Sequence, residues 1–420
     1  AGRSAWRARP DGRQTPERVA GRYVSGGRRH DLPASPSLIF TTKSCLSSDR
    51  IQIMLGTHKG VISMNDEAEI LFEKRGRAGL ITLNRPKALN ALNANMVALM
   101  HPQLIEWASD PDVDLVVIRG EGEKAFCAGG DIRQLHDWGR AGDPAMRAFY
   151  RDEYRLNAYI KSYPKPYVAL LDGICMGGGV GLSVHGSHRV ATEKLMFAMP
   201  ETGIGFFPDV GGTYFLPRMP GKVGTWLALT ASRLGQTDAL WAGFATHAVA
   251  SADIPALTDA LCEEGNPDET IPAFVMATSE SPVAQMREVI DRCFSADTVE
   301  AILERLDDEG GEWAEKQAAT IRSKSPTSLK IALRQMQEGA KVDFEECMRI
   351  EYRIVSRVEK GADFYEGVRA VIIDKDHSPK WQPAELTDVS QEAVDAYFAP
   401  LPDELDLGAL DRTENSALAD

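Results

Sequence analysis

Cysteine is scarce in this chain, with six among 420 residues (Cys45, Cys127, Cys175, Cys262, Cys293 and Cys347), none in a C-x-x-C pair or at metal-ligand spacing. A disulfide-stapled scaffold and a zinc site are therefore poor readings, and free thiols in a reducing compartment are the better one. Long apolar runs are also missing. The most apolar stretch, Tyr167 to Val184, is broken by Asp172 and five glycines, which argues against a membrane span. Positive charge is in deficit, 47 Lys+Arg against 61 Asp+Glu for a net charge of −14. The deficit is deeper in the body of the chain, because residues 1–63 hold 11 Lys+Arg against 4 Asp+Glu. A body so acidic repels nucleic acid, and a phosphate-bearing ligand would have to be held by local groups. What is present is the composition of a globular protein, 43% hydrophobic and 26% charged, long enough to bury a large core.

The chain divides by texture. Residues 1–63 are rich in Arg, Gly, Ser and Pro and lack sustained periodicity. They read as sequence upstream of a start at Met64, as an Arg-rich organelle transit peptide, or as a disordered arm. The first reading makes the protein bacterial and cytoplasmic, and a genuine presequence would place it in the mitochondrial matrix. From residue 64 to about 250 the pattern is α/β. Ile70–Lys74 and Leu80–Leu83 form two strands across a glycine-rich turn, and Leu92, Met96 and Leu99 start a helix that Pro102 interrupts or kinks. Val113–Ile118 and Tyr167–Leu171 read as buried strands, with a long amphipathic helix over Ala145–Lys161 between them. Strands alternating with helices imply an α/β core with right-handed crossovers. Residues 251–400 read as mainly helical, with segments at Pro282–Phe294, Asp297–Leu306 and Ser328–Gln337, and residues 401–420 as an acidic, solvated tail. No internal repeat is visible.

Two glycine-rich turns each follow a buried strand: Ala125-Phe126-Cys127-Ala128-Gly129-Gly130-Asp131, and Met176-Gly177-Gly178-Gly179-Val180-Gly181, which opens a short helix. Glycines let the backbone approach a ligand and aim its N–H groups at it, and two such groups on one carbonyl make an oxyanion hole. Tight turns or close helix packing explain a single glycine cluster equally well. Neither turn has the spacing of a phosphate loop or a dinucleotide site. Further on, Glu201 and Asp209 stand eight residues apart among apolar and glycine neighbours. Desolvation raises the pKa of such carboxyls and suits them to acid–base work. Asp209 could instead cap the helix that Val210-Gly211-Gly212-Thr213 begins. His185 and His188 read as structural.

Taken in order, Asn84-Arg85-Pro86…Asn90-Ala91-Leu92, the turn ending Gly129-Gly130-Asp131, the triple glycine 177–179, Pro200-Glu201 and Pro208…Gly211-Gly212 resemble the crotonase (enoyl-CoA hydratase/isomerase) superfamily. The resemblance implies a ββα-spiral core with a helical C-terminal region and an acyl-CoA thioester as substrate; with no ligand cluster or dinucleotide motif in the sequence, no metal and no cofactor beyond that CoA is expected. It places the oxyanion hole on the N–H groups of Gly130 and Gly178. Hydratases of the family carry one glutamate after the triple glycine and another at the Pro-Glu. Here the first position is Gly181, the second is Glu201, and an extra acid stands at Asp209. That combination is similar to the family's 3-hydroxyisobutyryl-CoA hydrolase branch, as are Ser325–Lys330, Glu351-Tyr352-Arg353 and Phe364–Ala370. By the same resemblance Glu153 is a substrate-contacting acid. Read by itself, it could be a solvated helix charge paired with Arg151 or Arg155. The family's fold often forms trimers, so a homo-oligomer is expected.

The implied reaction is hydrolysis of a 3-hydroxyacyl-CoA thioester in valine catabolism, with 3-hydroxypropionyl-CoA as a second substrate. Gly130 and Gly178 would hold the thioester oxygen, Glu201 would attack or act as general base, and Asp209 would bind the 3-hydroxyl or assist proton transfer. Hydration or isomerisation of an enoyl-CoA is the rival reading, and a non-catalytic acyl-CoA-binding protein a remote one.

Overall fold

Near-continuous apolar runs such as Leu115-Val116-Val117-Ile118 and Tyr167–Leu171 bury both faces of a strand, the pattern of a parallel sheet covered on two sides. The computed structural model describes residues 68–408, so the basic segment and the end of the acidic tail lie outside the described residues. Among the described residues there are nine strands: β1 (Ile70–Arg75), β2 (Ala78–Leu83), β3 (Leu115–Gly120), β4 (Ala125–Cys127), β5 (Tyr167–Leu171), β6 (Ile174–Met176), β7 (His188–Ala191), β8 (Met196–Ala198) and β9 (His247–Ala248). Six form one sheet in the order β1-β2-β3-β5-β7-β9, antiparallel only between β1 and β2, and three form a parallel sheet in the order β4-β6-β8.

The topology repeats although the sequence does not. Each of β3, β5 and β7 in the large sheet is followed within a few residues by its partner in the small one, β4, β6 and β8. A helical passage then leads to the next pair, as the ββα-spiral expectation requires. Alternate residues of the large sheet serve two cores. Leu80, Leu115, Val117, Val168 and Leu170 face the helix Ile254–Glu264, and Ile81, Val116, Ile118 and Ala169 face the main body.

Helix α1 (Ala94–Ser109) departs from expectation in two ways. It starts after Leu92, with Asn93 as its cap, so its buried stripe is Met96, Val97, Met100, Leu104 and Trp107, and Leu99 is exposed. It also continues through Pro102 for two more turns. Helices α2 (Ile132–Ala141) and α3 (Ala145–Lys161) follow, the latter with the expected bounds, then the one-turn α4 (Gly178–Gly181) and α5 (Gly212–Phe215). From residue 251 to 398 the described chain is mainly helical, and the helices Pro326–Gly339, Phe344–Val358 and Asp363–Val368 return to pack on the catalytic half. Among the described residues no helix is long and apolar enough to cross a membrane. The five described cysteines are free and buried.

Candidate functional site

The small sheet assembles the site. Its register pairs Cys127 with Cys175 and Cys175 with Phe197. Counting three residues onward from each gives Gly130, Gly178 and Pro200, the last next to Glu201. Parallel strands leave a sheet on the same side, about 4.8 Å apart. The two glycine turns and the Pro-Glu segment therefore emerge side by side.

The Asn84–Leu92 motif is the brace behind the first turn. Asn90 accepts from the Arg85 N–H at 2.9 Å and donates to the carbonyls of Glu121 and Ala125, both at 2.9 Å. Leu92 donates to the Gly129 carbonyl at 2.8 Å and accepts from the Asp131 N–H at 2.8 Å, so Gly130 is held between them with its own N–H free. The Arg85 guanidinium ties to Asp131 at 2.9 Å. In the second turn Gly177 has a φ of +46°, and Gly178 is the first residue of α4, where no helical carbonyl is available to its N–H. Neither the Gly130 nor the Gly178 N–H donates a hydrogen bond among the described residues. A methyl group added at Gly178 would lie 3.3 Å from the Gly130 nitrogen, which shows how closely the two turns abut.

Five residues singled out in the sequence, Gly130, Glu153, Gly178, Glu201 and Asp209, line one cleft of about 70 Å³. Ile132, Leu135, Phe149, Ile204 and Phe206 supply apolar wall. Glu153 is 2% exposed on the buried face of α3, so it is not a solvated charge, and Arg151 pairs with Asp152 instead. Its Oε1 would meet a methyl on Gly178 at 2.7 Å, and Glu201 Oε1 would meet one on Gly177 at 3.2 Å. Glu153 Oε1 and Glu201 Oε2 are buried without a hydrogen-bond partner. Asp209 is not a helix cap. Gly211 precedes α5 with no side-chain cap, and Asp209 Oδ2 accepts instead from the Tyr154 hydroxyl at 2.9 Å.

Crowding three carboxyls into an apolar cleft raises their pKa values. Burial pushes Glu201 well above the usual carboxylate range, and the nearby charges of Asp209 and Glu351 push further. Glu153 moves the same way, by burial first and then the same two acids. Asp209 rises to about 7 through burial, held down in part by the Tyr154 hydrogen bond.

Several contributors were not found in the sequence. Glu351, on the helix Phe344–Val358, accepts from the N–H groups of Gly211 at 2.8 Å and Thr213 at 2.9 Å, and burial raises it to about 8. Gln335 donates to the Pro208 carbonyl at 3.0 Å and to Thr213 Oγ1 at 2.8 Å. Both hold the loop that carries Asp209. Tyr150, Tyr154 and Asn157 share the buried face of α3 with Glu153. The available signal was polar tips at helical spacing on an otherwise apolar stripe. His185 donates to or accepts from no catalytic group. Its Nε2 meets the Val210 carbonyl at 2.8 Å, and burial pushes its pKa down to about 3. His188 contacts Asp268 at 3.0 Å, away from the cleft.

Comparison with known proteins agrees with this geometry. The family model described as enoyl-CoA hydratase/isomerase matches residues 78–398. The protein of Danio rerio named 3-hydroxyisobutyryl-CoA hydrolase, mitochondrial, is 51% identical over 381 residues, covering 88% of this chain and 99% of its own length. Its counterpart by name in Homo sapiens is 50% identical over 343 residues, covering 79% of this chain and 89% of its own. A solved structure titled as a carnitinyl-CoA dehydratase from Mycobacterium thermoresistibile superposes with a TM-score of 0.79 at 42% identity, covering 82% of this chain and all of that one. With its paired glycine turns, its repeated ββα units and a match running through both halves, the chain belongs to the enoyl-CoA hydratase/isomerase family.

Proposed function

We infer that this protein hydrolyses the thioester of 3-hydroxyisobutyryl-CoA, releasing the hydroxy acid and free CoA, a step of valine catabolism. The names of the curated relatives support the substrate. The family alone does not choose the reaction, since a structural neighbour is titled a dehydratase.

The observation that carries hydrolysis over hydration is the packing at Gly181. Hydratases of this family place a glutamate there. In this chain a Cβ at position 181 would sit 2.7 Å from Val210 Cβ and 2.8 Å from Asn157 Nδ2, so a glutamate there would force those neighbours to move. Of the hydratase pair only the Pro-Glu carboxyl, Glu201, is present, and it can activate one attack on a carbonyl; the other acids of the cleft, Glu153 and Asp209, come from α3 and from the loop before α5. A binding protein without catalysis would have no use for an unpaired buried carboxyl beside two free N–H groups.

In the mechanism that follows, the thioester oxygen lies between the Gly130 and Gly178 N–H groups, which stabilise it as charge develops. Losing one such donor typically raises a barrier by about 3 kcal/mol. Glu201, in its ionised form, attacks the carbonyl carbon to give a mixed anhydride, or takes a proton from the attacking water. In the first route the CoA thiolate leaves as the anhydride forms and water then hydrolyses the anhydride, freeing Glu201; in the second the water adds to the carbonyl directly and the thiolate leaves. Asp209 and Glu153 face the acyl chain, and one of them accepts a hydrogen bond from its 3-hydroxyl. The reaction so written needs no cofactor beyond the CoA of the substrate. 3-Hydroxypropionyl-CoA differs by one methyl group, worth about 1–3 kcal/mol, and is a second substrate.

We place the protein in mitochondria rather than in a bacterial cytoplasm. The relatives are named as mitochondrial. The Danio rerio match covers 88% of this chain, more than the part from Met64 onward can supply, so it reaches into the basic segment.

The test is thiol release from 3-hydroxyisobutyryl-CoA, followed with a chromogenic disulfide, beside enoyl absorbance with crotonyl-CoA. Thiol release that falls about a thousandfold in Glu201→Gln is the expected result. Loss of enoyl absorbance without thiol release would overturn the reading.

A further inference from the structure

Two tyrosines one turn apart on α3 face the carboxyl cluster, and only one has a partner. The Tyr154 hydroxyl donates to Asp209. The Tyr150 hydroxyl is buried and has no hydrogen-bond partner. Its ring is well anchored. It stacks on Phe206 with centroids 5.5 Å apart at 21°, with Phe149 edge-on at 5.5 Å and Tyr154 tilted at 6.0 Å. A side chain fixed so firmly with its polar tip unpaired awaits a partner that is not part of the protein.

The cleft that Tyr150 lines defines what that partner can be. An alcohol on the substrate has one proton to give and two lone pairs to receive. The carboxylates at Glu153 and Asp209 accept that proton, but once ionised they donate nothing. The Gly130 and Gly178 N–H groups are directed at the thioester oxygen. Among the residues lining the cleft, Tyr150 is the one non-carboxyl side chain that can donate. Asp209, Glu153 and Glu201 all lie near enough to keep the phenol protonated, and burial does so more strongly.

We propose that Tyr150 determines specificity by donating its phenolic hydrogen to the 3-hydroxyl oxygen of the bound acyl group, while a carboxylate accepts the hydroxyl proton. The pair reads an alcohol as both donor and acceptor, which a water-free apolar chain cannot imitate. Substrates lacking the hydroxyl leave the phenol and the carboxylate unpaired together, and a site built this way rejects them strongly. This inference rests on the hydrolase reading above.

The test compares kcat/KM for 3-hydroxyisobutyryl-CoA and isobutyryl-CoA in the parent protein and in Tyr150→Phe, which keeps the ring and its stacking. The expected result is a fall of roughly 10- to 100-fold in the preference for the hydroxylated substrate. The loss should lie in the hydroxylated substrate, with isobutyryl-CoA turnover held or raised because no phenol is left unpaired. An unchanged preference, or an equal loss on both substrates, overturns the proposal. Should Tyr150→Phe fail to fold, 3-fluorotyrosine at position 150 supplies the same test with a stronger donor. A preference above the parent's then supports the proposal, and one equal to or below it overturns it. Absence of thiol release by the parent protein would instead defeat the hydrolase reading itself, and that is seen before any variant is made.

Discussion

Asp209 sits under two opposed influences. Burial lifts it from its ordinary 3.8 to about 7, and the Tyr154 hydroxyl, donating at 2.9 Å, stabilises its charged form. To accept a proton from the substrate it must be ionised, so kcat/KM should rise with pH through about 7. Tyr154→Phe removes the donor that favours the carboxylate, and the acid limb of the kcat/KM profile should move to higher pH. A limb that stays in place would show that Asp209 does not titrate in turnover. Because these acids interact, the limb belongs to the cluster as a whole. At this scale the sequence was readable where chemistry leaves a local mark. Glycines after a buried strand mark the two turns, and apolar neighbours mark Glu201; the resemblance to the family narrows the turns to Gly130 and Gly178 and gives Asp209 a role other than a helix cap. Glu153 was visible only through resemblance, since a glutamate between Asp152 and Tyr154 looks like any helix charge. The cap reading of Asp209 failed because α5 begins at Gly212, two residues later than the motif implied.

The elements show a division of labour that sequence patterns do not carry. Strand and helix identities follow from apolar periodicity, and α3 matched in both bounds because Pro144 and Pro164 punctuate it. The pairing of β4, β6 and β8 did not follow, because three-residue strands joined through long crossovers have no turn to fix their register. The C-terminal helices were legible as helices but not as parts of the site. Ser325 caps the helix Pro326–Gly339, donates to Asp363 at 2.6 Å, and takes its backbone N–H to the Thr202 carbonyl at 3.2 Å. The same region supplies Gln335 and Glu351 to the loop that carries Asp209. In that loop Val210, a β-branched residue, has a φ of +51°, so the backbone is strained there and needs external hold. Glu351→Ala strands two buried N–H groups, each worth about 1–3 kcal/mol. Unfolding by urea should show a loss of several kcal/mol, together with a fall in kcat at saturating substrate. Unchanged stability would mean that the loop holds itself.

Across the whole molecule, buried acids set the response to pH. Asp209 and Glu351 are held protonated by the fold up to about 7 and about 8, against ordinary values of 3.8 and 4.5. Glu153 and Glu201 shift in the same direction. A group whose pKa the fold raises contributes stability that is full below its unfolded value and lost as pH rises through its folded value. His101, His185 and His247 are shifted downward and act the other way, but their contribution is complete above 6.5. Between pH 6.5 and 8 the carboxyls therefore dominate, and the net charge of −14 adds repulsion in the same sense. The melting temperature should be several degrees lower at pH 8 than at 6.5, and a rise over that interval would contradict the protonated cluster.

The most direct measurement follows the oxygen of water. Incubated with 3-hydroxyisobutyryl-CoA in ¹⁸O-water, the protein should yield free CoA and a hydroxy acid labelled in its carboxyl group, with the 3-hydroxyl unlabelled. Label appearing at the 3-hydroxyl of an intact thioester would mean reversible loss and return of water across the acyl chain. That result would contradict hydrolysis and the weight placed on Gly181.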